Sequence, residues 1–219
     1  MRASHWAVLL AAALMYGSAF SFTSVAVAQL PPLTVAAGRA LTAALALAAI
    51  LALAGGRLPA AAGDWRTLAV LGIVSGALPF IALAWGQVYV QSSIAGILFG
   101  ITPIFTLFIA HFLTPDDRVT RRRFAGALAG FAGVALVVGP AALLGLGRDL
   151  TGQALILFAA LCIGFGAVYA RRHTRIAPLA MSTGSTICAA AVLLPLSLVI
   201  DGFSPLDAGP GAAAAVFGL

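Results

Sequence analysis

Of 219 residues, 62% are hydrophobic and only 8% are charged, which leaves too little polar surface to wrap a water-soluble core of this size. The formal net charge of +6 comes from 12 arginines and 6 aspartates, with no lysine or glutamate in the chain. Because the arginines sit between hydrophobic blocks rather than on a basic face with interleaved aromatics, nucleic acid is excluded as a partner and the lipid bilayer remains as the solvent.

A helix crossing the hydrocarbon core needs about 20 mostly apolar residues, each adding about 1.5 Å toward roughly 30 Å. Seven stretches qualify: Trp6 to Ala28, Leu33 to Ala54, Thr67 to Gln87, Ser92 to Leu113, Phe124 to Gly139, Gly152 to Ala170 and Pro178 to Ile200, the fifth being short and expected to extend through Pro140. An eighth apolar run opens near Ala212. Turn residues join the spans, at Pro31-Pro32, Gly55-Gly56, Pro115-Asp116-Asp117, Gly145 to Gly147 and Asp201-Gly202. The expected fold class is an all-α polytopic bundle. The first span imitates a cleaved signal peptide, with Arg2 ahead and Ala26-Val27-Ala28 behind. Its run of about 22 residues exceeds a usual signal core and carries Tyr16, Ser18, Ser21 and Thr23, so it is read as a retained helix.

Arginine placement gives orientation. Arg2, Arg57, Arg66, Arg118, Arg121, Arg122, Arg123, Arg171, Arg172 and Arg175 fall on the side of the N-terminus, and Arg148 alone on the other. The positive-inside rule therefore predicts a multi-pass cell-membrane protein with a cytoplasmic N-terminus.

The chain also resembles itself. Pro32-Leu33 followed by Gly38 recurs as Pro178-Leu179 followed by Gly184, an offset of 146 residues, and Ala12-Ala13-Leu14 recurs as Ala159-Ala160-Leu161 at 147. A unit of five spans is odd, so its second copy must start from the opposite face of the membrane. The charges follow: the link before Pro32 has none, whereas the link before Pro178 reads Arg171-Arg172-His173-Thr174-Arg175. Conversely, Arg57 and Arg66 flank the link after helix two, and its counterpart around Asp201 and Asp207 has no arginine. Two inverted five-helix repeats are expected, residues 1–147 holding the first and 148–219 helices six, seven and the start of eight. At this offset a complete ten-helix protein has roughly 292 residues, and the chain is expected to be a truncated copy.

Several patterns resemble the EamA-type members of the drug/metabolite transporter (DMT) superfamily. Tyr16-Gly17-Ser18-Ala19-Phe20 is similar to the family's aromatic-Gly-small-small-Phe stretch, and Arg39 follows Pro31-Pro32 where the family often has Arg-Phe, with Ala40 here in place of the aromatic. Tyr89 to Ala95 followed by Thr102-Pro103-Ile104 is similar to the small-residue turn and mid-helix proline, and Asp117-Arg118-Val119-Thr120 to the Glu-Arg-Leu-Thr segment, with Asp replacing Glu. The resemblance implies ten helices in two inverted repeats and secondary transport, commonly export, of a small organic metabolite.

Arg39 is the one charged side chain well inside a span. At the bilayer centre it costs about 2.5–3.5 kcal/mol, so it should face a cavity, a carbonyl cluster or an anionic ligand, or else snorkel to the headgroups. Tyr16, Ser18, Ser21, Trp85, Gln87, Gln91 and Thr102 are candidates to line a polar path with aromatic walls. Their bland readings are an aromatic belt for Trp85 and Tyr89 and bonds to the helix's own carbonyls for the hydroxyls. Pro103 should free the carbonyl near residue 99 and kink helix four, a break that marks the binding level in many transporters and only packing in others. His111 reads as an interfacial structural residue or a proton relay. The pairs Gly72/Gly76, Gly96/Gly100 and Gly126/Gly130 permit close helix contacts without specifying an oligomer.

An intramembrane enzyme needs an acid, base, nucleophile or metal set at membrane depth. All six aspartates fall in links, and Cys162 and Cys188 lack CxxC spacing or a nearby base and read as small core residues. No metal or cofactor is expected. A channel usually shows polar rings or a filter motif, also absent. A transporter is thus preferred, with an enzyme, a channel or a non-functional transporter fragment as alternatives.

Overall fold

The computed structural model describes residues 15, 17–114, 120–138, 149–173 and 175–202. Tyr16, Arg118, Arg148, Asp207 and the run from Ala212 lie outside them. The described chain forms helices α1 (Gly17–Val27), α2 (Pro32–Leu53), α3 (Ala62–Tyr89), α4 (Ser92–Leu113), α5 (Arg121–Val138), α6 (Leu150–Arg172) and α7 (Pro178–Ile200). Five of them, α2, α3, α4, α6 and α7, are long and apolar enough to cross a membrane. Large apolar side chains point outward on several: Leu53, Phe112 and Val199 are more than four-fifths exposed, a surface that lipid covers and water would not.

Two helices begin earlier than hydropathy suggests, because helix starts follow backbone needs as well as apolar content. Helix α3 takes in Asp64 and Arg66, with Asp64 in its first turn beside the positive end of the helix dipole, and Trp65 Nε1 donates to the Pro59 carbonyl at 2.9 Å. Helix α5 takes in Arg121 to Arg123, and the Arg123 amide donates to Thr120 Oγ1 at 3.3 Å, as at an N-cap. Those three arginines keep α5 out of the five apolar spans.

Helices α2 and α7 pack against each other over much of their length and run antiparallel. Ala36, Ala37, Ala40 and Ala44 meet Ala189, Ala190 and Leu193 in a buried cluster of small side chains, which lets the backbones approach. A carboxylate closes one end of the pair. Pro31 and Pro32 bring no amide hydrogen to the start of α2, and the Thr34 amide has no intrahelical acceptor there. Asp201 Oδ2 accepts from both the Thr34 amide and Thr34 Oγ1, each at 2.8 Å, placing a negative charge at the positive end of the helix. Toward the other end, Thr183 Oγ1 donates to its own Leu179 carbonyl at 2.8 Å and reaches the Leu47 carbonyl at 3.4 Å.

Helix α3 crosses between α7 and α6. Its Gly72 and Gly76 lie against Ser185, Cys188 and Ala189 of α7, and Gly86 lies against Gly152 and Ile156 of α6. On the far side of α6, Gly164 meets Thr106 of α4. Helix α5 rests mainly on α4, through an edge-to-face pair of Phe108 and Phe124 at 6.0 Å among other contacts.

Three prolines interrupt the regular ladder among the described residues, Pro195 inside α7, Pro79 in α3 and Pro103 in α4. Pro79 has no amide hydrogen for the Ser75 carbonyl four residues earlier, and just upstream Gly72–Ala77 widens into a π-helical turn. In α4 the ladder is interrupted at Gly100 and Ile101, and Pro103 falls in the first turn of the second half rather than at a simple kink. The Phe99 carbonyl, which Pro103 cannot satisfy, accepts the Thr102 hydroxyl instead.

Candidate functional site

Helices α1, α2, α3, α4, α6 and α7 line a half-open cavity of about 560 Å³, within the roughly 300–1,000 Å³ usual for small-molecule sites. Its described lining comprises Met15, two residues ahead of α1, Ala19 and Phe20 from α1, Arg39, Ala43 and Leu47 from α2, and Ser75, Phe80 and Leu83 from α3. Phe99, Ile163, Ser182, Ser185 and Thr186 complete the wall from α4, α6 and α7. A side chamber of about 70 Å³ adjoins it and shares Ser75, Phe80, Ser185 and Thr186.

Arg39 is the one ionised side chain among the described lining residues. Its guanidinium carbon stands 4.7 Å from the centre of the Phe80 ring, a cation–π contact on the cavity wall. Phe20 and Phe99 form an edge-to-face pair at 5.5 Å on another part of the lining. The hydroxyls of α7 bond partly within their own helix: Ser185 Oγ and Thr186 Oγ1 donate to the Ser182 carbonyl at 3.1 and 2.8 Å. Each such hydroxyl keeps its lone pairs for a guest. Ser75 differs, since its Oγ is buried with no hydrogen-bond partner among the described residues. It sits in the π turn of α3 and is pressed close to Gly166 of α6.

The candidates from sequence divide accordingly. Arg39 lines the cavity. Ser18, exposed on α1, donates to the Met15 carbonyl at 3.0 Å, and Ser21 is exposed too; neither is part of the lining. Trp85 is 45% exposed on the outer face of α3, and Gln91 is exposed in the α3–α4 link. Gln87 is buried beyond the cavity with neither amide atom hydrogen-bonded among the described residues. Thr102 and Pro103 mark the break in α4 without lining the cavity. Tyr16 lies outside the described residues.

The residues not singled out beforehand are Phe20, Ser75, Phe80, Phe99 and the hydroxyl run Ser182, Ser185 and Thr186. A signal for two of them was present. Pro79 marks Ser75 as the residue whose carbonyl the helix ladder must release. Ser185 lies 146 residues after Arg39, the offset noted between the two Pro-Leu segments, and both residues line the cavity.

Curated relatives match across most of the chain. The uncharacterized inner membrane transporter YedA of Escherichia coli K12 is 28% identical over 199 residues, covering 89% of this chain and 61% of YedA. YedA of the O6:H1 and O157:H7 strains matches to the same extent. The chain thus spans about three fifths of the length of these relatives. Residues 5–139, more than half of the chain, match the EamA-like transporter family. With a bundle of apolar helices around a shared cavity, and with that match, the chain belongs to the EamA-like transporter family.

Proposed function

We propose that this chain forms a secondary transporter of the DMT type in the inner membrane, moving small organic molecules, most simply as an exporter, by alternating access between two inverted repeats. The observation that carries this reading is the cavity of about 560 Å³ lined from α1 to α4 on one side and from α6 and α7 on the other. Residues 1–147 supply the first wall and residues 148–219 the second. The antiparallel pairing of α2 with α7 supports the inverted relation, because equivalent helices of inverted repeats must run in opposite directions. Arg39 and Ser185, 146 residues apart, both line the cavity, in keeping with such a pseudo-two-fold arrangement. In this reading the Thr34–Asp201 contact lies at the outer face and the arginine-rich links lie in the cytoplasm with the N-terminus.

Arg39 tests the cavity. In the full-length protein, Arg39→Ala should lower transport at least tenfold while membrane abundance stays normal; unchanged transport at normal abundance would remove Arg39 from the site and favour snorkelling. The orientation has its own test. Single cysteines in a Cys-free background should react with an impermeant thiol reagent from outside near Asp207 and not near Arg121, and the reverse pattern would overturn it.

A further inference from the structure

We propose that the cavity continues outward along α3 into a chamber walled by the Gln87 amide, which the Phe20–Phe99 pair holds shut in this structure. The inference rests on the transporter reading above and adds a gate and a polar contact to that same cavity.

Gln87 is the first observation. It is only 5% exposed, and neither amide atom has a hydrogen-bond partner among the described residues. A primary amide carries two donors and an acceptor, and burying them unpaired is costly, so a glutamine in this position calls for a partner that enters in another state. Its place on the helix says from where. Phe80 and Leu83 line the cavity from α3. Gln87 follows Leu83 by four residues and Phe80 by seven. Seven residues fall within about 20° of two full turns, so Gln87 stands on the same face of α3, about 10 Å further out. The Cα–Cβ bond of a helical residue tilts toward the helix N-terminus, here back toward Leu83 and the cavity.

The second observation is what closes the way. Phe20 and Phe99 both line the cavity and meet edge to face at 5.5 Å. Both also pack against the buried cluster that holds Leu83 and Val90, the α3 residues one turn before and one turn after Gln87. The third is how one of the two rings is mounted. Phe99 ends the short half-helix Ser92–Phe99, the ladder is interrupted at Gly100 and Ile101, and Thr102 and Pro103 start the second half of α4. Residues at such an element end can absorb a hinge rotation that a continuous helix resists. Swinging Phe99 away from Phe20 would join Gln87 to the cavity and give its amide water or a polar group of the solute as a partner.

The test reads solvent access and stability in the full-length protein, purified in phosphatidylcholine nanodiscs. In a Cys-free background, single cysteines replace Gln87, Ala43 in the cavity wall, or Ala190 in the separate buried cluster between α2 and α7. Each is reacted with 2-hydroxyethyl methanethiosulfonate, a small neutral thiol reagent. Ala43→Cys should react readily and Gln87→Cys at least tenfold more slowly. Adding Phe99→Ala or Phe20→Ala should speed Gln87→Cys at least tenfold and leave Ala190→Cys unchanged, which a general loosening of the bundle would not do. Gln87→Leu, close in volume and without the amide, should raise the unfolding midpoint by about 2 °C. The inference is overturned if Gln87→Cys reacts as fast as Ala43→Cys with both phenylalanines in place, stays slow in both phenylalanine variants, or is accelerated no more than Ala190→Cys. An unchanged or lowered midpoint for Gln87→Leu also overturns it, because the amide would then have a structural partner. Slow reaction at Ala43→Cys itself would bring down the cavity and the transporter reading with it; ready reaction there leaves that reading standing whatever happens at Gln87.

Discussion

Two glycine pairs of identical spacing behave in opposite ways in this molecule. Gly72 and Gly76 on α3 lie at backbone distance from α7: a Cβ added at Gly72 would meet the Ser185 carbonyl oxygen at 2.5 Å, Cys188 Cβ at 2.7 Å and the Ala189 amide nitrogen at 3.0 Å. Gly126 and Gly130 on α5 have no atom of the described residues within 4 Å of such a Cβ. Gly96, on α4, is equally open. A small-xxx-small pattern permits close approach but supplies no partner. What separates the pairs is the neighbouring helix: α7 carries its own small residues at the crossing, whereas α5 touches α4 mainly through larger side chains. Of the glycine pairs noted in the sequence, Gly72/Gly76 makes its close contact with α7, a helix of the later segment.

The comparison is broken or sharpened by adding one methyl at a time and measuring unfolding of the purified protein in mixed detergent. Gly72→Ala should have the largest effect, a loss of about 1–3 kcal/mol, since two of its three close contacts are backbone atoms that cannot rotate away. Gly76→Ala should cost less, about 1 kcal/mol, because its single close contact is Ala189 Cβ at 2.8 Å. Ala189→Gly should recover most of that loss in the double variant; absence of recovery would show that the Gly76–Ala189 contact does not carry the cost. Gly126→Ala should change stability by no more than about 0.5 kcal/mol, or raise it slightly through better helix propensity. A large loss there would mean that α5 packs against a partner and would erase the distinction between the pairs.

The same contrast orders the α3–α7 face around function. Gly72, Ser75 and Gly76 all border the side chamber, so this close approach of α3 to α7 adjoins the π turn and the buried Ser75 hydroxyl. A π turn departs from the regular α-helix and is frequent at functional sites, and here it borders the cavity and its side chamber through Ser75.

Composition placed the chain in lipid, and its continuous apolar runs of about 20 residues made it a bundle of helices, because a barrel strand would be shorter and alternate apolar with polar residues. Periodicity and length located α2, α3, α4, α6 and α7 to within a few residues, since about 20 apolar residues in a row admit little else. The break near residue 99 was legible from Pro103, whose missing amide is a local fact. Arg39 stood out because a charge in hydrocarbon is costly wherever it points. Local rules did not reveal which neutral residues would face it. Ser75, Phe80, Ser182 and Thr186 are ordinary in composition, and their convergence on one cavity depends on how α2, α3 and α7 cross. The tertiary structure alone decided that Asp201 sits on the Thr34 amide 167 residues earlier, and that Trp85 and Gln91 lie away from the cavity. The reason is physical: lipid and a cavity wall accept many of the same side chains, so hydropathy cannot tell the two faces of a membrane helix apart, and only packing against specific neighbours does.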